Sequence, residues 1–288
     1  MDLGQCSNRM LEISSRGGEI EINGIPDFDL EKIFECGQCF RWDADENGVY
    51  TGVAFGRVAR LRSGGGSVFI SCAAGDFEAI WRGYFDLDRD YGEIRRRLGT
   101  DAFMREAIKL GEGIRILRQD NWEALCSFII SQCNNIPRIK KIIATLCREF
   151  GERLEFDGKA HYSFPAAPVL AALEASDLAP LRCGYRAEYI IGAARAIAGG
   201  SLDLDALSRC PPEEARVALK KLRGVGDKVA DCTLLFGLNM LDAFPLDVWM
   251  KRAVAQYFGP SFDPIVFTPY AGIAQQYIYY YARSGNRN

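Results

Sequence analysis

Between positions 222 and 249 the chain reads Leu222-Arg-Gly-Val-Gly-Asp-Lys-Val-Ala-Asp-Cys232 and then Pro245-Leu-Asp-Val-Trp249, and this stretch restricts the fold more than any other. Upstream, Pro211-Pro-Glu-Glu-Ala-Arg-Val-Ala-Leu-Lys-Lys-Leu222 predicts a helix. Its prolines fall near the first turn, its acids beside the electropositive start, and Ala215, Val217, Ala218 and Leu222 run along it. Arg223-Gly-Val-Gly226 then makes a tight reversal, and Asp227 is placed to cap a second helix carrying Val229, Ala230, Cys232, Leu234 and Leu235. Two helices joined in this way can offer the backbone N–H groups of Gly224, Gly226 and Val229 to a phosphate. Glycine permits close approach, and a helix start is electropositive.

Such a helix-hairpin-helix, spanning about residues 213–239, could hold a DNA backbone and do nothing else. Lys228 points further. A lysine on the first turn of a helix sits in a field that disfavours its own charge, as an amine nucleophile requires. Asp247 follows Pro245 and precedes the apolar run Val248, Met250, Ala253, Val254 and Tyr257, so it is a natural N-cap. The two can meet. A helix of ~12 residues rises roughly 18 Å, and seven extended residues span up to about 23 Å, so the chain can return to the start of the lysine's helix.

At 288 residues, with 48% hydrophobic and 25% charged side chains, the chain is long enough for two or three compact units with ordinary cores. It has no run of 18 apolar residues, and Met1 to Glu21 lacks an apolar signal core, so an intracellular, DNA-associated protein without a targeting signal or membrane span is expected. The net charge of −3 argues against nucleic acid only if charge is evenly spread. Here Arg138, Lys140, Lys141, Arg182, Arg186, Lys220, Lys221, Arg223 and Lys228 cluster near turns, although Lys140 and Lys141 read as a solvated helix face. The ten cysteines read as reduced thiols, and Cys36-Gly-Gln-Cys39 lacks a second pair for a zinc site. His161 reads as an exposed loop residue.

The pattern predicts an α+β protein, divided at residues 1–113 and 114–288. Residues 47–72 read as an antiparallel meander with a turn at Ser63-Gly-Gly-Gly66, and helical spacing begins near residue 76. From Trp122 onward almost no strand signal is present. Helices are expected over Trp122–Ile130, from an Asn135 cap to Gly151, over Arg186–Ala198 and over Ala271–Arg283, with Ser284–Asn288 frayed.

The segment Gly-Val-Gly-Asp-Lys-Val-Ala-Asp-Cys resembles the signature of the helix-hairpin-helix DNA glycosylases, and of the 8-oxoguanine DNA glycosylases in particular. The resemblance runs from about Phe28 to Arg283. It implies a sheet domain paired with two helical subdomains, and a lysine, here Lys228, that attacks the sugar C1′ of a flipped nucleotide while an aspartate, here Asp247, stabilises the cationic sugar. Some relatives carry a four-cysteine iron–sulfur cluster after the hairpin, and this chain has no cysteine beyond Cys232. No cofactor and no metal is expected.

Further matches imply a base pocket. Phe34-Glu-Cys-Gly-Gln-Cys-Phe-Arg-Trp42 resembles the family's Gly-Gln-x-Phe-Arg-Trp segment, whose glycine carbonyl, here Gly37, accepts the N7 proton that distinguishes oxidised guanine. Cys232, four residues after Lys228 and so on the same helix face, can rest against the base plane. Pro269-Tyr-Ala-Gly-Ile-Ala-Gln-Gln-Tyr-Ile-Tyr279 resembles the family's Tyr-Ala-Gly-x-Ala-Gln pattern and places Gln275 and Tyr279 one turn apart. Ser131-Gln-Cys-Asn-Asn-Ile-Pro-Arg138 and Gly184-Tyr-Arg-Ala-Glu-Tyr189 resemble the segments that enter DNA. By position Tyr185 is the wedge, and Arg138 and Arg186 reach the orphaned cytosine. Cys133 departs from the usual asparagine, leaving gap filling to Gln132 or Asn134; Trp249 departs from a phosphate-contacting histidine. The reading is a monomeric, bifunctional glycosylase and lyase acting on double-stranded DNA containing 8-oxoguanine opposite cytosine. A non-catalytic DNA-binding hairpin protein and a glycosylase for another damaged purine stay open at this point.

Overall fold

The computed structural model describes residues 11–16 and 18–284. Of the segment expected to fray, Ser284 still belongs to the last helix and 285–288 lie outside the described residues, as do 1–10 and 17 of the stretch expected to carry no signal core. A six-stranded antiparallel sheet comes first: β1 (Glu12–Arg16), β2 (Glu19–Asn23), β3 (Trp42–Ala44), β4 (Tyr50–Ala54), β5 (Arg57–Gly64) and β6 (Ser67–Cys72), in the order β1-β2-β6-β5-β4-β3. Its register aligns Ile20 with Ile70, Ile70 with Leu61 and Leu61 with Tyr50. One face therefore carries a continuous apolar row, and α1 (Leu30–Glu35) packs Leu30, Ile33 and Phe34 into the same core. Strands β1 and β2 go beyond the expected meander. Strand β2 alternates Ile20 and Ile22 with Glu19, Glu21 and Asn23, and β1 has only Ile13, so few apolar residues announce them.

The motif that precedes β3 is anchored at its tryptophan. Trp42 stacks on Phe34 with ring centroids 4.4 Å apart and donates its indole N–H to the Tyr84 hydroxyl at 2.8 Å. It lies opposite Gly52, where a Cβ would come within 2.2 Å of the indole, so only glycine fits.

The rest is helical. A π-helical turn (Phe77–Trp81) runs into α2 (Arg82–Tyr84), followed by α3 (Tyr91–Leu98), α4 (Ala102–Leu110), α5 (Asn121–Ser131), α6 (Ile136–Phe150), α7 (Ala167–Ala171), α8 (Arg186–Ala198), α9 (Leu204–Leu207), α10 (Pro212–Leu219), α11 (Asp227–Phe236), α12 (Val248–Tyr257) and α13 (Ala271–Ser284). Starts are set where a side chain accepts a first-turn N–H: Asp90, Asp101, Asp120, Asn135, Asp203 and Asp247 all do so. Helix α5, buried from Trp122 to Ile130, is the axle of this body.

Four expectations change. Asp227 does not cap α11: it is the first helical residue, Gly226 holds the cap position without a side-chain bond, and the Asp227 carboxylate pairs with Lys220 at 2.6 Å. The strand-free stretch contains a hairpin, β7 (Arg153–Phe156) and β8 (Lys159–Tyr162), turned by Asp157 and Gly158 at φ +49° and +70°. His161 lies in β8, half-buried and edge-on to Phe156. Lys140 is no solvated lysine, since its ammonium donates to the Trp42 carbonyl at 2.8 Å and sits 3.2 Å from Glu35 and 3.4 Å from Asp43.

Two apolar cores result, one under the sheet and one within the helices. They do not divide at residue 113, because Tyr91, Ile94, Leu98, Met104, Ala107 and Ile108 belong to the helical core. The seam between them is polar and tied. Gln38 is wholly buried and donates to the carbonyls of Ile33 (3.0 Å) and Arg115 (2.8 Å), while its oxygen accepts from Leu117 N–H at 2.9 Å. Arg41 pairs with Glu123 at 3.1 Å, both nearly buried.

Candidate active site

Helix α11 starts after a reversal whose two glycines do different work. Gly224 has φ +84°, and a Cβ there would strike the Tyr189 ring at 2.2 Å. Gly226 is extended, and a Cβ there would meet nothing within 4 Å. The space above Gly226 is thus open where the first N–H groups of α11, including that of the buried Val229, lack helical acceptors. This is the geometry of an anion seat.

Lys228 turns away from that seat. Its half-buried ammonium donates to Ser131 Oγ at 3.0 Å and lies 4.9 Å from the centre of the Phe128 ring. The Ser131 hydroxyl itself donates to the Phe128 carbonyl at 2.8 Å, so its oxygen can only accept from the lysine. Ser131, at the end of α5, was not anticipated, because nothing in linear spacing relates it to α11.

The amine opens into a cleft whose empty volume, open mouth included, is about 340 Å³. Its walls bring together Gly37, Lys228, Cys232, Asp247, Gln275 and Tyr279, all six residues expected there. Asp247 caps α12, accepting Met250 N–H at 2.8 Å. Cys232 is buried, which pushes its thiol up to about 11 and leaves it a neutral, polarisable surface. Gln275 donates to the Pro245 carbonyl at 3.3 Å, tying α13 to the loop that presents Asp247. Gly272 lets α13 approach α11: a Cβ there would lie 2.3 Å from Leu235.

Gly37 takes φ +85°, and its open α-carbon faces Tyr279, whose hydroxyl is 3.5 Å from where a Cβ would sit. The fully bonded Gln38 fixes the turn from below. Beside it Cys36 is buried and donates to the Ile33 carbonyl at 3.3 Å. Burial pushes its thiol up to about 12 and that of Cys39 well above the ordinary range, so neither is a ready thiolate.

Outside the cleft lies a rim of exposed groups. Tyr185 is 51% exposed, with Tyr189 edge-on at 5.5 Å. Arg138 is exposed and donates to the Arg182 carbonyl at 3.1 Å. Arg186 departs from expectation: it is 4% exposed, and its guanidinium donates to the carbonyls of Gln132 (3.0 Å), Cys133 (3.2 Å) and Cys183 (3.1 Å). It holds the 132–133 turn instead of presenting a free edge. Gln132 and Asn134 are also committed, donating to Ile129 (3.0 Å) and Ile130 (3.2 Å), the open carbonyls at the end of α5. Exposed Cys133, at φ +47°, is left at the tip. Trp249 is exposed, with the Arg252 guanidinium 5.7 Å from its ring, and exposed Leu246 and Val248 lie beside it in the chain. Among the described residues no helix is long and apolar enough to cross a membrane.

Residues 22–125 match a family model described as the 8-oxoguanine DNA glycosylase N-terminal domain, and residues 126–264 one described as HhH-GPD superfamily base excision DNA repair protein. The chain is 34% identical over 267 residues to an N-glycosylase/DNA lyase of Saccharomyces cerevisiae, spanning 83% of this chain and 70% of the yeast protein. Among solved structures it is similar to MBOgg1 in complex with a low-affinity DNA ligand, with a TM-score of 0.92 and 43% identity over 96% of this chain and 99% of that one. It is also similar to the Clostridium acetobutylicum 8-oxoguanine glycosylase/lyase in complex with double-stranded DNA containing cytosine opposite 8-oxoguanine. That likeness has a TM-score of 0.90 and 39% identity, over 96% and 98% of the two chains.

Proposed function

The chain belongs to the 8-oxoguanine DNA glycosylase family of the helix-hairpin-helix superfamily, and we propose that it excises 8-oxoguanine from duplex DNA and cleaves the resulting site with Lys228 as its nucleophile. The observation that carries this is the single cleft in which an inward-turned amine, a capping carboxylate and a base-sized wall of Gly37, Cys232, Gln275 and Tyr279 meet. The inward turn of Lys228 onto Ser131 weighs against a lysine that only grips phosphate.

The chemistry follows from that placement. The lesion nucleotide leaves the stack, at an unstacking cost of a few kcal/mol, while the open N–H groups at Gly224, Gly226 and Val229 hold its backbone. Gly37 accepts the N7 proton of the oxidised base; an undamaged guanine would meet it with a lone pair, at a cost of about 1–3 kcal/mol. Lys228, as the free amine, attacks C1′. The C1′–N9 bond breaks with its electron pair leaving on the base, and the Asp247 carboxylate stabilises the positive sugar. Loss of a proton and ring opening give a Schiff base, from which β-elimination expels the 3′ phosphate. Tyr185 enters the vacated step with Cys133 and Asn134 beside it. Arg138 donates to the estranged cytosine, and Arg186 braces the turn next to it.

Excision of 8-oxoguanine opposite each normal base, compared between the unaltered protein and Lys228→Gln, tests both levels. Excision opposite cytosine, a covalent adduct under borohydride, and loss of at least about a hundredfold in Lys228→Gln are expected. Inactivity of the unaltered protein on every pairing overturns the function, while full activity of Lys228→Gln overturns the mechanism alone.

A further inference from the structure

Gln276 lines the same cleft, is 3% exposed, and has no part in the chemistry above. Its amide nitrogen donates to Gln275 Oε1 at 2.8 Å. Gln275 in turn donates from Nε2 to the Pro245 carbonyl at 3.3 Å. The direction of this chain is forced. A carbonyl only accepts, so Gln275 must turn its nitrogen to Pro245 and its oxygen to Gln276, and Gln276 must answer with its nitrogen. That leaves Gln276 Oε1 buried without a partner in the protein. An orphaned buried acceptor costs stability, and here it stands on the wall of the cleft.

We infer that Gln276 is a positioning residue that, together with the Pro245 carbonyl, holds the Gln275 amide in one orientation and so makes the cleft read a guanine edge. The inference rests on the function proposed above and deepens it. A primary amide presents a donor and an acceptor side by side, and turning it over exchanges them. The Watson–Crick edge of a guanine offers an acceptor at O6 and donors at N1 and N2; that of an adenine offers a donor at N6 and an acceptor at N1. A free glutamine serves either by turning. Gln275 is not free, because turning would set its oxygen against the Pro245 carbonyl and would break the 2.8 Å bond that Gln276 donates to it.

Two variants test this in single-turnover excision of 8-oxoguanine and of 8-oxoadenine, each opposite cytosine. Gln276→Met keeps the length of the side chain and removes the donor, and the 8-oxoguanine to 8-oxoadenine rate ratio is expected to fall roughly three- to tenfold, the worth of one hydrogen bond. Gln276→Glu can donate only when protonated, so its ratio is expected to be low at high pH and to recover as pH falls, a profile the unaltered protein lacks. Borohydride trapping on abasic duplex, which has no base to read, is measured alongside. An unchanged ratio in Gln276→Met, an absence of pH recovery in Gln276→Glu, or equal loss on abasic and 8-oxoguanine DNA overturns the inference. Failure of the unaltered protein to excise 8-oxoguanine would instead overturn the functional reading and carry the inference with it.

Discussion

Gly224 and Gly226 stand two positions apart in one motif, yet they answer to different pressures. Gly224 is confined by a left-handed backbone and by the Tyr189 ring, whereas Gly226 is confined only by what must lie above it. Gly224→Ala is expected to cost about 2–4 kcal/mol in urea unfolding. Gly226→Ala should cost less than about 1 kcal/mol and still weaken affinity for abasic duplex, measured by fluorescence anisotropy. At this scale the motifs were legible where they announce a special backbone or a reactive type: Gly37, Lys228, Cys232, Asp247, Gln275 and Tyr279 converge as expected. Ser131, Gln276 and Tyr189 were not legible. Their roles depend on which side chain of another helix they face, and neither periodicity nor spacing encodes that.

Among the elements, the joint between α10 and α11 carries a pH signature. Arg216 lies 2.8 Å from buried Asp231, one turn beyond Lys228, but the contact is off the N–H line and Asp231 Oδ1 has no directed donor. Burial outweighs the arginine and raises Asp231 to about 6 from 3.8. A carboxyl raised on folding adds stability that is fully present below pH 3.8 and is lost as pH rises through about 6. The stability of the protein relative to Asp231→Asn should therefore fall by about 1–2 kcal/mol between pH 4 and 7.5, after discounting for partial solvation; a flat difference across urea titrations would refute it. Helices were the more legible elements, since an Asp or Asn cap and a 3.6-residue stripe mark most of them. Strand β1 escaped because Ile13 is its one large apolar residue and β2 because it carries only Ile20 and Ile22, while the β7–β8 hairpin was marked by Asp157-Gly158 and by alternating Leu154, Phe156, Ala160 and Tyr162 but has strands of only four residues.

Across the whole molecule, the cleft draws on both cores. Gly37 sits on the loop between α1 and β3, while Lys228, Asp247 and Gln275 ride on the helical body. Lys140, misread as solvated because a lone lysine on a helix usually is, reaches from α6 to the Trp42 carbonyl and helps keep the two in register. Lys140→Met is expected to lower stability by about 1–2 kcal/mol and to slow 8-oxoguanine excision more than it slows trapping on abasic DNA. Equal slowing would remove the joint from base recognition. The polar seam has a further consequence. The glycine loop that would sense oxidation of the base and the body that would cut the sugar are held together by a few replaceable contacts, not by a shared interior. Each can drift under its own selection, so a lineage could acquire a taste for a different lesion by rewriting one loop while inheriting its blade unchanged.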